Sequence, residues 1–137
     1  MKAAKLLLII LLAIGLLWLK SSYGKFTSGT FVSSLGGTLT KVADKNPYPW
    51  FKQFLTDVAI PNSELFGSLV LWGEILSAIT ITLGAILLLS SKQIKLANWI
   101  LLLGLAGGAF LNIIFWLGFG YTSPSTDSLN LLMAAVE

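Results

Sequence analysis

The sequence contains no cysteine, no histidine and no arginine. Without thiols there is no disulfide and no Cys-bound cluster. Without imidazole there is no His-ligated metal or haem, and the commonest general base near neutral pH is missing. Charge is also scarce. Only 11% of residues are charged, against roughly a quarter in soluble domains. All nine positive side chains are lysines and none form a dense run, which excludes the basic footprint of a nucleic-acid surface. There is no Gly-rich phosphate loop, no G-x-S-x-G and no metal-ligand spacing. The chain reads as no redox or hydrolytic catalyst by itself, with no covalently held or metal-ligated cofactor.

What is abundant is apolar sequence: 55% hydrophobic residues and a mean hydropathy of +0.84 over 137 residues. This composition belongs to the membrane class. The expected fold is all-α, one transmembrane domain over 1–137. It would be an integral membrane four-helix bundle with three full spans and an incomplete or truncated fourth. Ala3 to Leu19 is nearly unbroken apolar sequence and gives a first span over about 3–20. Lys2 and Lys5 ahead of it, with Ser22-Tyr23-Gly24 beyond, also fit a signal peptide; the segment is read as a retained span. Spans two and three are expected over about 65–89, capped by Asn62 or Ser63, and 96–121, joined by a tight turn at Ser90-Ser91-Lys92-Gln93. Asp127 or Ser128 would cap a partial span over 127–137. At about 1.5 Å per residue this last piece is too short to cross, so a sequence continuing past Glu137 is favoured over a half-helix.

The long connection, 21–62, contains two helical patterns. Phe31, Leu35, Leu39 and Val42 recur at helical spacing, weakened by Gly36-Gly37. Trp50, Phe51, Phe54, Leu55 and Val58 form an apolar face opposite Lys52, Gln53, Thr56 and Asp57, with Pro49 in the first turn. Amphipathic helices of this kind suit a membrane interface or the end of a bundle. Trp18, Tyr23, Trp50, Trp99 and Tyr121 are expected as interface anchors, and Lys20 and Lys25 as side chains reaching for headgroups. Lys2, Lys5, Lys92 and Lys95 on short segments place the N-terminus in the cytoplasm.

Glu74 is the sharpest chemical signal. A carboxylate this deep in a span must face the interior, be hydrogen-bonded, or be protonated. Gly67, Glu74, Ser77, Ala78, Ile81 and Ala85 share one mostly small stripe. Across the turn, Gly104, Gly108, Asn112, Trp116 and Gly120 recur every four residues, and Gly104-x-x-x-Gly108 permits close helix packing. Glu74 and Asn112 lie roughly 22–24 Å from the turn at the helical rise, so they are predicted to be neighbours. The functional reading is a proton-relay or quinone-headgroup site built from Glu74, Asn112, Trp72 and Trp116. The plainer reading is a polar clamp between spans two and three.

The chain resembles the DoxX family, including the DoxD-like membrane subunit of thiosulfate:quinone oxidoreductase. The resemblance is carried by Gly15, Gly24-Lys25-Phe26, Asn46-Pro47, Trp50-Phe51 with Phe54-Leu55, Ile60-Pro61-Asn62, Leu65-Phe66, Gly73-Glu74 and Leu83-Gly84. It covers most of the chain through short motifs in matching order. It implies a four-helix membrane fold in which Glu74 matches the family's acidic residue of the second span. It also implies association with quinone-linked oxidoreduction, with a quinone or lipid as ligand and other membrane or redox subunits as partners in a prokaryotic plasma membrane. The alternative is a structural accessory subunit without a catalytic role.

Overall fold

A computed structural model describes residues 2–90 and 94–137. It is helical, with no strand among the described residues. Six helices follow in order: α1 (Lys2–Ser28), α2 (Phe31–Lys45), α3 (Pro49–Phe54), α4 (Ser63–Leu89), α5 (Ile94–Phe119) and α6 (Pro124–Val136). Three segments, Ala3–Ser28, Ser63–Leu89 and Lys95–Thr122, are long and apolar enough to cross a membrane, which makes this a membrane protein by its architecture. The expected turn at Ser90-Ser91-Lys92-Gln93 falls mostly on residues 91–93, outside the described residues, as does Lys92 in the topology argument.

α1 does not end where its apolar run ends. It continues through Lys20-Ser21-Ser22-Tyr23-Gly24-Lys25 to Ser28, correcting the boundary near residue 20. Hydropathy measures the lipid-compatible stretch, whereas the helix runs on until the backbone must turn. That turn is at Gly29, whose φ of +66° is a left-handed conformation that costs glycine little, the usual helix stop.

α4 is the antiparallel neighbour of both α1 and α5, with a constant register on each side. Gly15 sits against Thr82, while Lys25 meets Glu74. On the other side Gly84 sits against Leu101 and Gly104 against Ile81. A side chain at Gly84 would lie 2.9 Å from Leu101 backbone, and one at Gly104 would lie 2.9 Å from the Ile81 backbone nitrogen. These glycines bring backbones together where larger residues would hold the helices apart. The core between the three contains Leu11, Ile14, Trp18, Ala78, Ile81, Leu101 and Leu111. The stripe predicted on α4 is the buried one: Gly67, Glu74, Ser77, Ala78, Ile81 and Ala85 all face inward.

A second core joins α2 and α3 through Leu35, Leu39, Ala43, Phe51, Leu55 and Ala59. α3 widens into a π-helical turn over Leu55–Ala59. The wider turn spaces the inward residues four apart, so Phe51, Leu55 and Ala59 are buried. Trp50 and Val58, expected on that face, are exposed instead. Asn46 ties this unit to α5: its Nδ2 donates to Leu117 O at 2.9 Å, and its Oδ1 accepts from Tyr48 N at 2.9 Å.

Of the two helix starts expected at a cap, that of α4 falls at Asn62 as predicted and that of α6 is corrected. Asn62 holds the N-cap position of α4 without a side-chain cap bond, and its amide Nδ2 donates back to Val58 O. α6 begins three residues earlier than predicted. Ser123 is its cap, accepting from Thr126 N at 3.1 Å, and Pro124 takes the first position, where its missing N–H costs nothing. α6 then runs back along α5 for about 20 Å at the helical rise.

Candidate functional site

The polar interior is organised by one face of α1. Trp18, Ser21, Ser22 and Lys25 follow the stripe begun by Leu11, Ile14 and Gly15, at spacings of three and four residues that hold side chains on one side of a helix. Against this face stand two carboxylates from different helices.

Glu74, on α4, is completely buried. Its Oε1 forms an ion pair with Lys25 Nζ, and its Oε2 accepts from Ser21 Oγ at 3.2 Å. The Lys25 ammonium also donates to Ser21 Oγ at 3.2 Å, closing a triangle. Its side chain is 26% exposed, with Nζ 5.2 Å from the Phe31 ring centroid and 5.3 Å from that of Phe115. These are cation–π distances. Lys25 therefore does not reach for headgroups as expected. The helical continuation of α1 turns it inward onto a carboxylate that would otherwise be uncompensated in an apolar setting.

Glu137, following α6, is the second carboxylate. Trp18 Nε1 donates to its Oε1 at 2.6 Å and Asn112 Nδ2 donates to its Oε2 at 2.7 Å. Gly108 leaves the space in which it sits: a Cβ there would lie 2.6 Å from Oε1. The Gly104-x-x-x-Gly108 pair thus does two jobs, close helix approach at Gly104 and room for a carboxylate at Gly108.

Glu74 and Asn112, predicted to be neighbours, each bond to other residues. Gly73 packs against Leu111, so Glu74 and Asn112 do lie at similar depth. No hydrogen bond joins them, because they leave α4 and α5 toward different neighbours. Of the other candidates, Trp116 donates from Nε1 to Asp127 Oδ1 at 2.5 Å and packs on the Tyr48 ring at 5.6 Å. Trp72 is 56% exposed and donates to neither carboxylate. Trp18, expected at an interface, is 3% exposed and serves as an interior donor. Tyr23, Trp50 and Trp99 are exposed, and Tyr121 donates its hydroxyl to Val42 O at 2.6 Å.

Beside the Lys25–Glu74 pair lies a cavity of about 710 Å³, within the range of small-molecule sites. α2, α3, α4 and α5 supply its phenylalanines, including Phe31, Phe51, Phe66, Phe110 and Phe115, and Lys25 is its charged lining residue. Leu69 and Phe110, which also line it, are largely exposed. Sequence reasoning singled out Glu74 and Asn112 but not Ser21, Lys25 or Glu137 as their partners. The signal for the first two was available in the spacing of Trp18, Ser21 and Lys25. Among the described residues there is no cluster of three or more acidic side chains placed to hold a metal ion. No family model, curated protein or solved structure matches the chain.

Proposed function

We propose that the chain is a DoxX-like membrane subunit that contributes a quinone site to an oxidoreductase whose redox centre is carried by a partner. The carrying observation is the juxtaposition of a Glu74–Lys25 pair, its carboxylate fully buried and its ammonium partly exposed, with a phenylalanine-lined groove of about 710 Å³. A hydrophobic carrier enters such a groove from the bilayer, and its polar head needs a partner inside it. In this reading α6 completes a four-helix bundle, and α2 and α3 lie at the membrane interface. Lys5 and Lys95 face the cytoplasm of a prokaryotic cell. The family assignment rests on the sequence motifs.

The test is purification in mild detergent followed by quinone analysis and identification of copurifying subunits. Quinone-coupled turnover of the assembly should fall at least tenfold in Glu74→Gln. Unchanged turnover refutes the proposal.

A second reading is favoured by one observation: both Glu74 oxygens already have donors. A satisfied, enclosed carboxylate also fits a clamp in a structural accessory subunit. That reading requires turnover to survive Glu74→Gln and assembly to fail in Gly108→Leu, which displaces the Glu137 carboxylate.

A further inference from the structure

Glu74 itself is walled off, so whatever occupies the groove meets the pair through its other member. Lys25 lines the cavity and is partly exposed, whereas Glu74 is fully buried. An ammonium has three N–H donors. Two are directed at Glu74 Oε1 and Ser21 Oγ, and among the described residues no third acceptor is bonded to it. Two rings lie close to Nζ, Phe31 at 5.2 Å and Phe115 at 5.3 Å.

We infer that Lys25 is the headgroup-binding residue of the groove and that it takes a neutral, planar, carbonyl-bearing ring on an apolar tail. The inference rests on the quinone reading above and names the atom that contacts the ligand. Charge balance in the pair selects the ligand class. Glu74 already balances Lys25, so an anionic headgroup would bring an uncompensated negative charge beside a buried carboxylate. A neutral carbonyl oxygen accepts the third N–H without that cost. The two phenyl rings accommodate a flat ring, and the apolar lining, the exposed Leu69 and Phe110 included, accommodates the tail. Glu74 is then a positioning residue, orienting the ammonium without touching the ligand.

The experiment uses the full chain in phosphatidylcholine nanodiscs with decylubiquinone as probe and palmitate as the anionic competitor. Binding is followed by quenching of tryptophan fluorescence, and the ligand carbonyl by its infrared stretch. In the unaltered protein, quinone binding should saturate, and its carbonyl band should shift down from the frequency in lipid alone. Lys25→Met combined with Glu74→Gln removes both charges together. It should weaken binding at least tenfold and return the band to its lipid position, while Lys25→Arg keeps the shift. Gly118→Leu, which fills the groove next to Phe51 without touching the pair, should abolish saturation. Saturable binding with an unshifted carbonyl in the unaltered protein overturns the role of Lys25 and leaves the quinone reading standing. Absence of saturable quinone binding, or saturation by palmitate instead, overturns the quinone reading and this inference with it.

Discussion

Glu74 and Glu137 are both held by donors from α1, but by different chemistry. Glu74 has a cation, Lys25, and a hydroxyl, Ser21. Glu137 has two neutral donors, the Trp18 indole and the Asn112 amide. The Glu74 pair meets a groove through Lys25, whereas Glu137 is pressed into the gap left by Gly108. The difference separates two uses of a polar group inside an apolar bundle. One is a balanced pair whose cation retains a donor for something else. The other is a cross-link of neutral donors joining α1, α5 and α6.

The comparison can be broken most forcefully at Lys25. Lys25→Ala strands a buried carboxylate and should destabilise the fold by about 3 kcal/mol, read from chemical unfolding in detergent. The double change Lys25→Met with Glu74→Gln should recover most of that loss, since removing both charges leaves none unpaired. If the double variant is as unstable as the single one, charge balance is not what secures Glu74. Gly104→Ala places a methyl against Ile81 backbone and should cost about 2 kcal/mol by overpacking. Glu137→Gln turns one of the two acceptors into a donor facing a donor. It should cost about 1 kcal/mol while leaving quinone binding intact, which sharpens the division between the two sites. Gly108→Ala should be mildest, under about 1 kcal/mol. The methyl there meets the end of the Glu137 side chain, which can swing away, and not a backbone. A larger loss at Gly108 than at Gly104 would mean that the Glu137 cross-link, not the close approach of α4 and α5, holds α5 in place.

The spans and the burial of Glu74 were legible because both follow from periodicity. Apolar runs of about 20 residues mark the helices that can cross, and small residues around Glu74 marked its inward stripe. The partner of Glu74 was not legible in the same way. Lys25 lies beyond the apolar run of α1, in a segment of Ser, Tyr and Gly that composition assigns to a loop. The helix nonetheless continues through it, because the Lys25 and Ser21 side chains find bonding partners on α4. Asn112 was placed at the right depth, since rise per residue fixes depth, but hydrogen-bond direction depends on rotation about each helix axis. That rotation is set by which glycines meet which backbones, as at Gly15, Gly84 and Gly104. The groove was invisible for a related reason: its phenylalanines come from α2, α3, α4 and α5, far apart in sequence.

The donor face of α1 also has a consequence in time. Helices that enter a bilayer in chain order bring their polar groups in that order too. When α4 follows carrying Glu74, the cation and hydroxyl that pair with it are already present on α1. Asn112 and Trp18 must wait for Glu137, but both are neutral and can bear the delay. The order of the chain thus introduces the buried acid only after its counter-ion.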